Sequence, residues 1–387
     1  MLSIKFKKIK FSKCWIFGYI FNLGDNLMIE ILEVKTNKQK HEFVNFPINL
    51  YKDCKYYVPN LKISELSIFN NNSQDEKCVF YLAKQNGIVV GRIGGIIHNL
   101  YNEKTDQKRV RFTRFDCINS FEVAQALFSK IEEWAKNNGM NCVHGPMGFN
   151  DLEKMGIQVS DFNKEGNIIT QYNFPYYKTL IEKCGYTPEA SFVECKIMEP
   201  NTFNIKLETD DFFNVKTKHA GTLLKKYKTQ VFDLINECYI PVYGAVPITP
   251  KLKEKLINTF KFLINLNFIS IVVDKQNNVV GFGLAIPGIA KELKKSKGSL
   301  LSMQSFKMIK SFQKPNYAEI LFVCVSPKHQ NEGIEELIAS KLLLGFRKYN
   351  ITTANTNPII FDEFGEKLVE KFEHIKHKKR VAYIKLI

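Results

Sequence analysis

One segment of the sequence combines residue types that suit the binding of a phosphate group. The apolar run Val323-Cys324-Val325 leads into a short polar loop, and a helical pattern follows the loop. The loop contains Gln330, Asn331 and Gly333, and the helix begins near Ile334. N–H groups at a helix N-terminus attract anions, and a glycine lets the backbone approach them closely because it has no Cβ. This order of residues therefore predicts a site for a pyrophosphate.

The strands and helices around this loop must hold it in place. Two apolar runs, residues 268–273 and 279–285, flank an Asn-containing turn and predict a β-hairpin. A strand at residues 318–325 and an amphipathic helix at residues 333–349 come next, with the polar loop between them. Short strands and a helix near residues 361–372 complete this part of the chain.

The first part of the chain has the same order of elements. Residues 79–83 and 88–97 are apolar runs on either side of Asn86-Gly87, a dipeptide typical of tight hairpin turns. A strand at residues 111–116 and an amphipathic helix at residues 121–138 follow. Because the same order of strands and helices occurs twice, the sequence indicates an internal repeat the size of a domain.

A polar run near residues 200–211 predicts the boundary between a domain of residues 28–200 and a domain of residues 210–387. Residues 1–27 form a leader whose apolar stretch, residues 14–21, is about half as long as a membrane-spanning helix. No small-residue cleavage site of a signal peptide follows it. We expect the leader to be disordered or to result from an over-long gene model. Weak anchoring at a membrane interface is the alternative.

The polar loop resembles the acyl-CoA-binding motif of the GCN5-related N-acetyltransferases (GNATs), V-x-P-x-x-x-G-x-G-x-(G/A), whose core reads Q-x-x-G-x-(G/A). Val325 and Pro327 match the front of the motif, and Gln330 and Gly333 match its core. Four further segments resemble a family of bacterial proteins of about this length that contain two such domains: residues 46–51, 144–149, 172–177 and 243–247. The resemblance implies an α/β (α+β) fold with two tandem GNAT-like domains, each a mixed, mostly antiparallel sheet flanked by helices.

The resemblance also implies roles for individual residues. In GNATs the strand before the loop is splayed by a bulge, which gives Val323 and Val325 the role of pairing with the pantetheine of acetyl-CoA or another acyl-CoA. The loop residues named above, together with Ile334, would hold the pyrophosphate. Glu319 on the same strand is the nearest carboxylate and is expected to be the catalytic base; an exposed strand residue is the alternative interpretation. Asn357 is expected near the thiol, although it and Asn355 also suit a turn before a proline.

Three departures from the family pattern bear on activity. Asn331 stands where the motif usually has a glycine, and Glu335 stands where it usually has a small residue. A carboxylate beside a pyrophosphate is unfavourable. The helix that usually carries a tyrosine as general acid has Phe364 and Phe372 instead. The remaining candidates for the general acid are two tyrosines outside this helix, Tyr349 and Tyr383.

The first repeat has no glycine-containing loop after its strand. Ser120 is predicted to cap the helix there, and we expect this domain, a degenerate copy, to bind no CoA. His144 is interpreted as a structural histidine or, alternatively, as a catalyst. Asp151, Glu153 and Asp161 are acidic residues that could shape a substrate cleft between the domains.

The composition excludes several other classes of protein. The formal net charge is +16, but the lysines are scattered and no nucleic-acid-binding motif accompanies them. The nine cysteines are widely spaced without a C-x-x-C pair, so neither a disulfide framework nor a metal site is expected. Reduced cysteines indicate a cytoplasmic protein.

Three functions are compatible with these observations. The first is an N-acyltransferase that moves an acyl group, acetyl or longer, from acyl-CoA to an amine on a small molecule, a lipid or a protein. The second is a binding or scaffold protein that keeps the fold without catalysis. The third is nucleic-acid recognition through positive charge, which the lack of any motif argues against.

Overall fold

The computed structural model describes residues 28–70, 74–150, 153–198, 204–216, 220–239, 241–260, 265–299, 314–360 and 373–387. Four features of the sequence analysis lie outside these residues: the leader of residues 1–27, Asp151, the start of the polar run at Pro200, and the helix near residues 361–372 with Phe364 and Phe372.

The described residues form fourteen strands. They are β1 (Glu30–Glu33), β2 (Glu76–Gln85), β3 (Ile88–His98), β4 (Arg109–Cys117), β5 (Cys142–Gly145), β6 (Ile157–Gln158), β7 (Thr187–Met198), β8 (Phe212–Asn214), β9 (Ile269–Asp274), β10 (Val279–Pro287), β11 (Ala318–Val325), β12 (Thr353–Thr356), β13 (Ile359–Ile360) and β14 (His374–Leu386).

Nine α-helices flank these strands within the same described ranges. They are α1 (Asn37–Leu50), α2 (Lys62–Ser67), α3 (Asn99–Thr105), α4 (Phe121–Asn137), α5 (Tyr176–Lys183), α6 (Ala220–Tyr239), α7 (Pro250–Phe260), α8 (Ala290–Ser296) and α9 (Ile334–Lys348). Both predicted hairpins, β2–β3 and β9–β10, are present.

The strands form one sheet with the order β1-β2-β3-β4-β5-β14-β7-β12-β11-β10-β9-β8, and β6 and β13 pair at its centre. Most neighbours are antiparallel, whereas β4 with β5 and β11 with β12 are parallel. The predicted α/β (α+β) class, a mixed and mostly antiparallel sheet flanked by helices, is confirmed.

The centre of the sheet is built by an exchange of strands between the two halves of the chain. The last strand of the chain, β14, lies between β5 and β7 of the first half. The last strand of the first half, β7, pairs in turn with β12 of the second half. Each half therefore completes its part of the sheet with a strand from the other, and the predicted boundary falls between β7 and β8.

A buried group of charges joins the two exchanged strands. Glu194 on β7 accepts hydrogen bonds from Lys378 Nζ at 2.8 Å and from Arg380 Nε at 2.6 Å, both on β14. All three residues are at most 1% exposed. Removing one partner of such a group would leave an uncompensated charge in the interior, which is strongly unfavourable. This contact therefore fixes how β7 and β14 pair.

Two glycines set the position of α9 on the sheet. A Cβ at Gly281 on β10 would lie 2.5 Å from the Cγ2 of Ile334, and a Cβ at Gly283 would lie 2.3 Å from the Cγ2 of Ile338. Only glycine allows this close approach. The start of α9 is thereby held against β10, directly after the end of β11.

Candidate functional site

β11 contains a bulge opposite β10, and beyond it β11 parts from its other neighbour, β12. The register between β10 and β11 shifts at Leu284/Ala285, which leaves Leu321 without a partner. Toward the other side, β11 pairs with β12 only over Ala318–Ile320. Beyond Ile320 the two strands part, and a gap opens between them.

The gap exposes one edge of the β11 backbone. The N–H of Ser326 donates to the carbonyl of Val280 on β10 at 2.9 Å. Because backbone groups alternate in direction along an antiparallel pair, the groups of Val323 and Val325 point away from β10 and toward the gap. The carbonyl of Val325 accepts a hydrogen bond from the Cys238 thiol at 3.2 Å. The structure thus places both valines where an extended ligand could pair with them.

Asn357 lies at the point where the strands part. Its backbone N–H donates to the carbonyl of Ile320 at 3.1 Å. Its side-chain Nδ2 donates to the carbonyl of Leu321, the bulged residue, at 2.8 Å. Asn357 therefore stabilises the bulge and lines the gap, whereas its predicted neighbour Asn355 pairs within the sheet.

The loop after β11 has the backbone shape that the sequence predicts for an anion site. Residues 327–329 form one 3₁₀ turn, and Asn331 and Gly333 follow with φ of +66° and +82°. Gly333 is the N-cap of α9 and forms no side-chain cap hydrogen bond. The first N–H groups of an α-helix have no partner within the helix, so a ligand could bind to them here. Glu335 lies in this first turn and on the wall of the neighbouring cavity, where its charge opposes an anion.

A cavity of about 730 Å³ runs along the exposed edge of β11 and passes through the gap. Of the predicted cofactor residues, Val323, Val325 and Gln330 line it, together with Asn357. The side chain of Ile334 is instead fully buried in the core, so only its backbone is available to a ligand.

The cavity has a different character on the two faces of the sheet. Toward α9 the described residues of its wall are apolar, namely Ile338, Ala339, Leu342, Leu343, Phe346 and Ile197. Toward α6 and the loop after it the wall mixes polar and apolar groups, namely Glu153, Met155, Ile169, Phe192, Glu237, Tyr239 and Tyr243. Four of these residues, from Glu153 to Phe192, belong to the first half of the chain.

Glu319 is a buried carboxyl group, so the alternative interpretation as an exposed strand residue is wrong. Its neighbour Ala318 packs in the core beneath α9, and side chains alternate along a strand, so Glu319 points to the opposite face. There Tyr317 Oη donates to its Oε1 at 3.4 Å, and the N–H of Ile168 also bonds to it. Its Oε2 is buried without a hydrogen-bond partner among the described residues.

Burial raises the pKa of Glu319 to about 8, although the charges of Lys378 and Lys154 act in the opposite direction. Such a carboxyl group exchanges protons near neutral pH, which suits a general base or acid. The cavity wall includes Ile320 and Leu321, which follow Glu319 on the strand, but not Glu319 itself. A water molecule would therefore have to connect its Oε2 to a reacting group.

A second buried polar group lies at the α6 side of the cavity. His144 Nδ1 is 3.1 Å from Tyr243 Oη, which also donates to Glu189, and Arg109 forms an ion pair with Glu189. Burial lowers the pKa of His144 to about 4, so the ring is neutral at pH 7. Hydrogen bonds from His144, Tyr243 and Arg109 outweigh burial and lower the pKa of Glu189 to about 2. Tyr243 was not among the residues predicted from the sequence, where its only signal was its place in a family-like segment.

The remaining candidates lie elsewhere. Tyr383 is fully buried and donates to Glu182, and Tyr349 accepts from Asn265 and Asn267, so neither tyrosine reaches the cavity. The carboxylate of Asp161 binds the N–H of Lys378 outside the cavity. Glu153 does line the cavity, and its carboxylate pairs with Arg114 at 3.1 Å.

The first half contains the counterpart of this site in a filled form. β4 has a bulge at Arg114 (φ +50°) and parts from β5 after Arg111. The N–H of Ile118 donates to Val90, as that of Ser326 does to Val280, so Cys117 corresponds to Val325. Here the carbonyl of Cys117 accepts from Tyr176 Oη at 2.8 Å, and its N–H donates to Tyr177 Oη at 3.2 Å.

The Tyr177 hydroxyl is held by a buried aspartate. Asp116 is fully buried and accepts hydrogen bonds from Tyr51 and Tyr177 and an ion pair from Arg92 at 2.8 Å. After β4, Ser120 accepts a bond from the N–H of Val123 and caps α4 as predicted. The backbone edge and the helix start are therefore both occupied by the protein itself.

Solved structures with this architecture cover nearly the whole chain. A tandem GNAT protein from the clavulanic acid biosynthesis pathway matches with a TM-score of 0.59 and 10% identity, covering 93% of this chain and 98% of that one. A GCN5-related N-acetyltransferase from Sphaerobacter thermophilus matches with a TM-score of 0.53 and 10% identity, covering 92% of this chain and 95% of that one. The chain has the tandem GNAT fold.

Similarity in sequence is more limited. The Escherichia coli (strain K12) protein YghO is 30% identical over 147 residues, which are 37% of this chain and 38% of YghO. No family profile matches the chain. Among the described residues no helix of the tandem GNAT fold is long and apolar enough to cross a membrane, and no cluster of three metal-ligating side chains occurs.

Proposed function

We propose that this protein is an N-acyltransferase that transfers an acyl group from acyl-CoA to an amine, and that the reaction takes place at the gap beside β11. The observation that carries this proposal is the backbone edge of Val323 and Val325, which pairs with no strand among the described residues, leads directly to the glycine-capped start of α9 and lines a cavity. An anion site next to an unpaired strand edge matches the shape of an acylated phosphopantetheine chain.

The donor would be held by backbone groups along its length. Its pyrophosphate would bind at the start of α9, near Gln330, Asn331, Gly333 and the N–H of Ile334. Its pantetheine amides would pair with Val323 and Val325. A backbone N–H in the gap would stabilise the negative charge that develops on the thioester oxygen during transfer.

The chemistry then requires little beyond alignment and one proton transfer. The neutral amine attacks the thioester carbon, the C–N bond forms, and the C–S bond breaks to release CoA thiolate. Glu319 accepts the proton that the amine loses, through a water molecule, and the proton is finally transferred to the thiolate. Asn357 contributes by holding the bulge at Leu321 in place.

The two halves would have different tasks. We assign the donor site to the domain of residues 210–387 and a wall of the acceptor side to the domain of residues 28–200, which supplies Glu153, Met155 and Phe192. The acceptor would be an amine on a small molecule, a lipid or a protein. Eight cysteines in the described residues are free thiols, which supports a cytoplasmic location.

A scaffold without catalysis is the second candidate, and one observation favours it. Glu335 and Glu237 both line the cavity next to the loop that would bind pyrophosphate. Two carboxylates at this end oppose the binding of an anionic donor.

Calorimetric titration with acetyl-CoA and a long-chain acyl-CoA separates the two candidates. We expect saturable binding by the wild type and its loss in Gly333→Trp. Gly139→Trp is the matched control, because Gly139 also has a positive φ, +71°, with open space around it, but lies at the end of α4. An absence of binding by the wild type up to about millimolar ligand, weaker than about 4 kcal/mol, would overturn the proposal in favour of the scaffold.

A further inference from the structure

We propose that the donor carries a long acyl chain, which lies in an apolar sleeve between α9 and the sheet. The sleeve is the part of the cavity formed by Ile197 of β7 and by five residues of α9: Ile338, Ala339, Leu342, Leu343 and Phe346. This inference rests on the proposed function, because it concerns the acyl group of the donor bound at β11.

The sleeve follows α9 for more than two turns. Its wall residues recur at intervals of three and four from Ile338 to Phe346, so they form one stripe along the helix. With a rise of 1.5 Å per residue, this stripe is about 12 Å long. An acetyl group, which has a single methyl group, would leave most of that length empty.

The two faces of the sheet separate the reacting groups. The sleeve lies on the α9 face, whereas Glu319 points to the opposite face, where Tyr239, Tyr243 and Glu153 line the cavity. A thioester in the gap would therefore have its hydrocarbon chain on the α9 side and its carbonyl accessible to an amine from the other side. The polar groups of the reaction and the apolar chain are kept apart by β11 itself.

Burial of the chain would also offset the weakness of the anion site. Glu335 in the first turn of α9 opposes the binding of a pyrophosphate. Each methylene group removed from water, in contrast, strengthens binding by up to about fourfold. The cavity therefore suits a donor whose acyl chain contributes more to the binding free energy than its phosphates do. Acetyl-CoA, which has no long chain, would lack this contribution.

The size of the wall side chains indicates which residue to substitute in order to test the sleeve. Ala339 is the smallest of the five α9 residues in the sleeve, so a large side chain there would fill the space of the acyl chain. Leu344 on the same helix is 37% exposed and does not line the cavity, which makes it a matched control.

The experiment is a calorimetric comparison of CoA, acetyl-CoA, octanoyl-CoA and palmitoyl-CoA, the last below its micelle-forming concentration. We expect palmitoyl-CoA to bind the wild type at least 100-fold more tightly than acetyl-CoA. Ala339→Trp should weaken palmitoyl-CoA at least 30-fold and acetyl-CoA less than threefold, whereas Leu344→Trp should change neither. Ala339→Leu replaces Ala339→Trp if a thermal melt shows that the larger variant does not fold.

Each outcome has a separate meaning. Equal affinity for acetyl-CoA and palmitoyl-CoA, or an equal loss of both in the Ala339 variant, would refute the sleeve and leave the proposed transfer reaction standing. Binding of none of the four ligands would refute both. A preference for palmitoyl-CoA that disappears in the Ala339 variant supports the sleeve.

Discussion

The two halves of this protein carry the same bulge and parted strands, but one gap is filled and the other is open. In the first half the backbone of Cys117 is bonded to the hydroxyl groups of Tyr176 and Tyr177. At the corresponding Val325 the backbone faces a cavity, and its carbonyl accepts a hydrogen bond from the Cys238 thiol. The same backbone geometry can therefore serve as a structural joint or as a binding edge, depending on which side chains reach it.

A second pair of corresponding residues differs in the sign of its charge. Arg111 on β4 and Glu319 on β11 occupy the same place before the bulge. Arg111 donates to the carbonyls of Gly148 and Gly244 and stacks on Tyr101, so it ties loops from both halves together. Glu319 keeps a buried oxygen without a hydrogen-bond partner among the described residues. This buried carboxyl group directly precedes Ile320 and Leu321 of the cavity wall, which is where the proposed chemistry lies.

The largest expected effect comes from removing the carboxylate of the open half. Glu319→Gln should lower the rate of acyl transfer at least 100-fold, because the amide cannot accept a proton. Donor affinity measured by calorimetry should stay within threefold. If the variant keeps its activity, Glu319 is not the base, and its difference from Arg111 has no bearing on catalysis.

The pH dependence tests the same group in the wild type. Because the pKa of Glu319 is raised to about 8 and a base must be deprotonated, kcat/KM should rise with pH and level off above about pH 8. Stability should change in the opposite direction: the folded state binds the proton more tightly than the unfolded state, so stability falls as pH rises from about 4.5 to 8. Melting curves of Glu319→Gln should lack this fall, and an identical pH dependence in both proteins would contradict the assignment.

The contact between the halves should have the next largest effect. Glu194→Ala leaves Lys378 and Arg380 buried without their carboxylate and is expected to destabilise the protein by about 3–5 kcal/mol. Because β7 and β14 each complete the other half, we expect one cooperative transition in denaturant, at a lower midpoint. Two separate transitions would show that the halves unfold independently.

The filled gap should tolerate change with a smaller loss. Tyr177→Phe removes the acceptor of the Cys117 N–H and one partner of Asp116, at a cost of about 1–3 kcal/mol. Tyr176→Phe, which removes one bond to the Cys117 carbonyl, should cost less. Donor binding should remain unchanged in both, so weaker binding of acyl-CoA would indicate that the first half takes part in the donor site.

The smallest effect concerns the anion site of the open half. Glu335→Gln should tighten the binding of acetyl-CoA by about three- to tenfold, because it removes a carboxylate from the cavity next to the pyrophosphate loop. The effect should shrink in high salt, since part of the site is open to water. An affinity that does not change would mean that the pyrophosphate binds away from this side chain.

Local patterns predicted much of this fold. The Asn86-Gly87 turn, the alternation of β4 and the stripe of α4 all follow from residues close in sequence. The polar loop and the glycine cap at Gly333 were also visible, because a strand end, a glycine and a helix start lie within ten residues. These features are dictated by local backbone preferences.

The features that decide the site depend on contacts between distant residues. The exchange of β7 and β14 joins residues about 180 positions apart. The burial of Glu319 depends on Tyr317 and on Ile168 from the other half. Periodicity reports which face of an element is apolar, but not which element covers it, so these contacts were not predictable.

The strand exchange also governs the order in which this protein can fold during synthesis. After β7 has been made, about 175 residues follow before β14, which corresponds to roughly 10–35 s of translation. During that time β5 and β7 both have open edges, and the core of the first half is incomplete. Open edges are templates for wrong pairing, so the nascent chain should depend on chaperones or on temporary contacts until its last strand arrives. Slowing or shortening the final stretch should therefore cause aggregation of the first half as well as the second.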